Sequence, residues 1–73
     1  MLVNIEDREQ LKQLGNRLKN KREQLQLTQE EFAAKCGFTK NYIGMLERGE
    51  RNPSYLTLLQ IAQNLKVALK DLL

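Results

Sequence analysis

Residues 28–48 read TQEEFAAKCGFTKNYIGMLER and predict two short helices joined by a glycine turn. Thr28 stands three residues before Glu31, the spacing at which a hydroxyl and a carboxylate cap a helix start reciprocally. Gly37 falls where that helix must stop, because a left-handed terminal residue costs glycine almost nothing. Thr39 offers a second N-cap. Ile43 and Leu46 lie three apart on one face of the second helix; Lys40, Asn41, Gly44, Met45 and Arg48 share the other. Ala33 supplies a small residue where the two helices would cross.

Outward from this stretch, Leu11, Leu14 and Leu18 recur at helical spacing, with Leu25 a heptad further on. A first helix is therefore expected from near Asp7 to near Gln24, with Asn4 as its cap and Asp7 at the third helical position. Gly15 weakens that helix by about 1 kcal/mol relative to Ala. A start near Gly15 stays open, with residues 1–14 as an extension. Helices are expected at about 29–36 and 40–48, the latter ending at Gly49. The loop 49–53, GERNP, closes on the only proline. Ser54 then caps a helix whose inner stripe is Leu58, Ile61, Ala62 and Leu65. A fifth, short helix over about 68–73 carries Leu69, Leu72 and Leu73. The expected fold is all-α, a compact five-helix domain spanning residues 1–73 as a single unit.

A chain of 73 residues is marginal by area burial, so tight helix packing or dimerisation would support it. Apolar content of 41% and charge of 29% fit a globular protein. No stretch approaches the roughly 18 apolar residues of a membrane span. Residues 1–10 lack the basic start and apolar run of a signal peptide, so a cytoplasmic location is expected. One cysteine makes no internal disulfide, and without histidine there is no typical zinc site. Cys36 reads as a small core residue. Net charge is only +3, but residues 8–22 hold six cations against Glu9 alone. Lys35, Lys40, Arg48, Arg51 and Lys66 outnumber Glu47 and Glu50 in residues 32–66. On charge alone, an ordinary solvated surface accounts for this pattern.

The motif shifts the balance. A small crossing residue, a turn glycine and a polar outer face near the second N-terminus are the features of a helix-turn-helix. The stretch resembles the helix-turn-helix of the phage-repressor-like (XRE-type) regulators. Gln29 matches the family's first motif position, Ala33 its crossing residue, Gly37 its turn, and Ile43 and Leu46 its anchors. The likeness extends to Leu18, Arg22, Leu25 and Leu27 before the motif. After it come Glu47-Arg48-Gly49, Asn52-Pro53-Ser54, then Leu58, Ile61, Ala62 and Leu65. The run NYIGMLERGERNPS most resembles the restriction-modification controller proteins, small dimeric members of the family.

In such a motif the N-terminus of the second helix enters the major groove. Lys40 there suits guanine O6 and N7, Asn41 suits adenine N6 and N7, and Met45 one turn on suits a thymine methyl. Gly44 has two open readings, close approach of backbone to DNA or close packing on a neighbouring helix. Gln29, at a helix N-terminus, is placed to bring its side chain and nearby amides to a phosphate. Tyr42, Arg48, Arg51 and Asn52 are further phosphate candidates, as are Arg17 and Lys19 from the first helix. The resemblance implies an ion pair between Arg22 and Glu47 that orients the recognition helix and leaves Arg22 able to touch a phosphate.

One recognition helix reads too few base pairs to find a unique site, so a homodimer on an inverted-repeat operator in double-stranded DNA is expected. Leu65, Val67, Leu69, Leu72 and Leu73 make 65–73 the candidate dimer segment, with residues 2–5 a second candidate. The same leucines have a second use, closing the protomer's own core. The residues offer no parts for acid-base, metal or phosphoryl chemistry, so neither an enzyme nor a cofactor is expected. The controller resemblance implies a regulator of its own promoter and of a restriction-modification operon, with RNA polymerase as a further partner. A phage-type repressor shares this mechanism. An antitoxin-like protein-binding module would need a toxin-binding segment, for which little chain follows residue 66.

Overall fold

Helix α1 runs Ile5–Gln24 without a break at Gly15, which removes the later start. The computed structural model describes the backbone of residues 5–73 and the side chains of residues 7–73. The cap expected at Asn4 and the apolar candidate at residues 2–5 lie outside the described side chains. Gly15 is a requirement of packing. A methyl group added there would stand 2.5 Å from the Leu46 carbonyl oxygen and closer still to that of Glu47. The backbone of α1 thus rests directly on the end of the third helix.

Helix α2, Gln29–Cys36, starts as the reciprocal capping pattern predicts. Glu31 N donates to Thr28 Oγ1 at 3.0 Å, and Thr28 N donates to Glu31 Oε1 at 2.8 Å. These bonds hold the exposed Glu31 carboxyl below its usual range. Gly37 then turns the chain at φ 75°. Helix α3, Lys40–Glu47, is capped by Thr39, whose hydroxyl accepts from Tyr42 N at 3.1 Å. It ends one residue earlier than expected. Helix α4, Tyr55–Leu65, begins at Ser54, whose Oγ accepts from Thr57 N at 3.1 Å. The fifth element is a single 3₁₀ turn, Leu69–Leu72, and not an α-helix. Four residues close only one tight turn, and the Asp71 carboxylate accepts from Ala68 N at its start.

The core gathers Leu18, Phe32, Ala33, Cys36, Ile43, Leu46, Ile61, Ala62, Leu65 and Leu72. Ala33 is buried in this core, on the helix that packs on α3 and α4. Leu58 of the expected inner stripe is only half-buried, and Leu25 stays exposed. At the chain end, Leu65 and Leu72 sit inside the protomer's own core, 2% and 0% exposed. Neither has surface left for a partner. Val67 and Leu69 pack partly against that core, while Leu73 is open.

Two expectations test this packing. Gly15→Ala gains helix propensity of about 1 kcal/mol, but overpacking against backbone costs at the upper end of about 1–3 kcal/mol or beyond. Urea unfolding is expected to show net destabilisation; an unchanged midpoint would mean that α1 does not rest on α3. Burial pushes the Cys36 thiol up from 9.0 to about 11. A thiol pKa raised by folding stabilises below pH 9, and that contribution is lost as pH rises through about 11. Native Cys36 is therefore expected to resist iodoacetamide at pH 8 and to react promptly in denaturant.

Candidate nucleic-acid interface

Glu47, the last residue of α3, is only 8% exposed, yet it is charged. Three donors from two other helices surround it. Arg22 of α1 donates from Nε to Oε2 at 2.7 Å and from Nη2 to Oε1 at 3.1 Å. Gln29, the first residue of α2, donates from Nε2 to Oε1 at 3.0 Å. Arg22 Nη1 also donates to the Leu27 carbonyl at 2.6 Å, tying in the segment before α2. A buried carboxylate is tolerated only when its lone pairs are satisfied, and a bidentate guanidinium plus an amide does this. Glu47 in turn raises the Arg22 pKa above its ordinary value. The expected ion pair is therefore present in geometry. The added phosphate contact expected of Arg22 is not supported, because the residue is 7% exposed and its guanidinium faces protein acceptors.

The outer face of α3 carries Lys40 and Asn41 exposed in the first turn and Met45 half-buried one turn on. Tyr42 packs its ring at 5.1 Å and 72° to Phe38, edge to face. The Arg51 guanidinium sits 5.3 Å from the Tyr42 ring centroid, a cation–π contact that directs this loop residue back toward α3. Gly44 is buried beneath two side chains. A methyl group there would stand 3.1 Å from Arg48 Nη1 and 3.8 Å from the Gln29 amide atoms. In the free protein its cover is the side chains of Gln29 from α2 and of Arg48 at the C-cap of α3. Arg48 caps α3 and meets Glu50, Nε to Oε2 at 2.9 Å and Nη2 to Oε1 at 3.2 Å.

Alongside α3 runs a groove lined by Lys12, Asn16, Lys19, Gln29, Glu47 and Arg48. A second groove adjoins it, lined by Arg8, Leu11, Lys12, Arg48, Gly49, Glu50 and Asn52. The structure thus brings Gln29, Arg48, Asn52 and Lys19 to one side, with Lys12 common to both grooves. It does not bring Arg17. At 3.6 residues per turn, two positions separate Arg17 from Lys19 by about 160° around the axis. Arg17 lines neither groove. Lys12 and Asn16, which line the first groove, are not among the contacts expected from the sequence. Their spacing of four, with Lys19 three further, already placed them on one flank beside Gly15.

Residues 18–72 match the family described as Helix-turn-helix. An uncharacterised HTH-type transcriptional regulator, y4dJ of Sinorhizobium fredii, is 44% identical over 57 residues, covering 78% of this chain and 74% of that protein. The control protein C.MunI of a Mycoplasma species is 37% identical over 59 residues, 80% of each chain. Among solved structures, the restriction-modification controller protein C.AhdI of Aeromonas hydrophila superposes with a TM-score of 0.86. It is 33% identical, covering 90% of this chain and 96% of that one.

The Glu47 cluster makes a sharp prediction. Arg22→Met leaves a buried carboxylate with one amide partner and is expected to cost about 3–5 kcal/mol in chemical unfolding. Replacing both Arg22 and Glu47 by Met is expected to recover most of that loss. If the single variant unfolds like wild type, the pair does not hold the helices.

Proposed function

The chain belongs to the XRE-type helix-turn-helix family, whose members are DNA-binding transcriptional regulators and not enzymes, and from that premise we propose that it reads an inverted-repeat operator as a homodimer. The observation that carries the reading is the fixing of Gln29 and α3 by one buried carboxylate, with exposed Lys40 and Asn41 at the open end of α3. That arrangement presents a phosphate-binding group and base-reading groups at a constant separation, as groove docking requires. Lys40, Asn41 and Met45 read base edges. Gln29, Tyr42, Arg48, Arg51 and Asn52 contact the phosphate backbone, joined by Lys12 and Lys19 from the groove rim.

Apolar surface left outside the core supports dimerisation. Tyr55 and Leu56 of α4 are 64% and 74% exposed, and Leu73 is 67% exposed. Within 65–73, Leu73 with the outer parts of Val67 and Leu69 supplies the contact, and Leu65 and Leu72 support it from inside. The similarity to two controller proteins over most of each chain supports a role in a restriction-modification operon, with the protein acting on its own promoter.

Fluorescence anisotropy on DNA from upstream of its own gene, against a scrambled duplex, tests the reading. Upstream binding that survives physiological salt while the scrambled duplex is lost is the expected result. Equal loss of both with salt would reduce the protein to a basic surface. Asn41→Ala is expected to cost about 1–3 kcal/mol and to relax preference at one operator position. Arg51→Ala is expected to weaken every sequence alike and to lower the salt slope by about one. Identical behaviour of the two variants would overturn the assignment.

A further inference from the structure

Arg48 and Glu50 are two residues apart, a spacing that does not face together on a helix. They meet because the chain leaves α3 at its cap, Arg48, and turns at Gly49. Gly49 takes φ 76°, its N–H donates to the Leu46 carbonyl at 3.1 Å, and Glu50 N donates to the Met45 carbonyl at 2.8 Å. This closure anchors Glu50 and turns its carboxylate back toward the Arg48 guanidinium. The contact is fork to fork, two parallel N–H donors on two oxygens, the geometry in which arginine also takes a phosphate. Arg48 Nη1 at the same time covers Gly44, the one residue of α3 without a side chain.

We propose that Glu50 is a built-in phosphate surrogate: it holds Arg48 closed over Gly44 in the free protein and is exchanged for a DNA phosphate on binding. The inference rests on the DNA-reading function proposed above. Both side chains are about half exposed, 56% and 52%, so the pair is weak and opens readily. Exchange removes the Arg48 half of the cover over Gly44, on the outer face of α3. It also releases a carboxylate beside the phosphates, which takes up a cation and offsets part of the counterion release from DNA. Glu50 thus lowers sequence-independent affinity and flattens its salt dependence. It leaves base reading to Lys40 and Asn41.

Glu50→Gln keeps the side-chain size and the backbone closure while removing the charge. Anisotropy titrations across a salt series, on the upstream and scrambled duplexes, compare wild type, E50Q, R48A and the double variant. E50Q is expected to bind both duplexes about two- to five-fold tighter at low salt, with a salt slope steeper by up to about one. In the R48A background the same substitution is expected to give a clearly smaller gain. An equal gain with and without Arg48 would reduce Glu50 to plain repulsion of DNA, and a loss of affinity in E50Q would make it a supporting contact; either overturns the surrogate. Wild-type discrimination between the duplexes is read in the same titrations. Its absence alongside an Arg48-dependent gain would overturn the operator reading alone, and no binding to either duplex would overturn both.

Discussion

The carboxylate of Glu47 is the point on which three helices agree. It terminates α3, receives the guanidinium of α1 and the first side chain of α2, and is shut away from water. An ion buried in this way adds little net stability against an apolar substitute, because desolvation offsets the attraction. What it adds is direction. A hydrophobic contact tolerates rotation and sliding of a helix, whereas a bidentate pair with a third donor is satisfied in one arrangement only. Gln29, Lys40, Asn41 and Met45, among the residues proposed to meet DNA, sit on two of the three helices that this carboxylate ties together.

Such a cluster forms only if α1 comes close enough to α3, and glycine permits it. Gly15 lets the α1 backbone rest on the Leu46 and Glu47 carbonyls, and Gly49 clears the Lys12 backbone from the other side. A side chain at either position would lift α1 away. Arg22 would then reach for Glu47 across a gap. The apparent defect of a glycine inside a 20-residue helix is thus the condition for the ion pair two turns later.

Local chemistry was legible in the sequence; facing was not. Thr28 with Glu31, Thr39, Gly37 and Ser54 each act within a few residues of themselves, and each ends or starts a helix where its pattern says. Arg22 and Glu47, 25 residues apart, came from family resemblance and not from spacing. Arg17 lines neither groove because the rotation of α1 is set by Gly15 against α3. Nothing in the charge pattern shows which flank of the helix meets the groove. Leu65 and Leu72 look identical to Leu73 in composition. Only the path of the chain into its final turn decides that two close the core and one stays exposed. The Arg48–Glu50 contact depends on a left-handed residue between them, which no helical periodicity contains.

The choice between arginine and lysine on this side of the molecule follows one rule. Arg22, Arg48 and Arg51 each meet a partner with a defined plane: a buried carboxylate, an exposed carboxylate and an aromatic ring. A planar guanidinium suits such partners, and an ammonium group would lose the second hydrogen bond or the stacked face. Lys12 and Lys19 line a groove, and Lys40 stands exposed at the start of α3. Within the free protein, these arginines each hold a defined contact. An Arg→Lys exchange at 22 loses the second hydrogen bond of a buried pair, while at 48 it loses one of an exposed, weak pair.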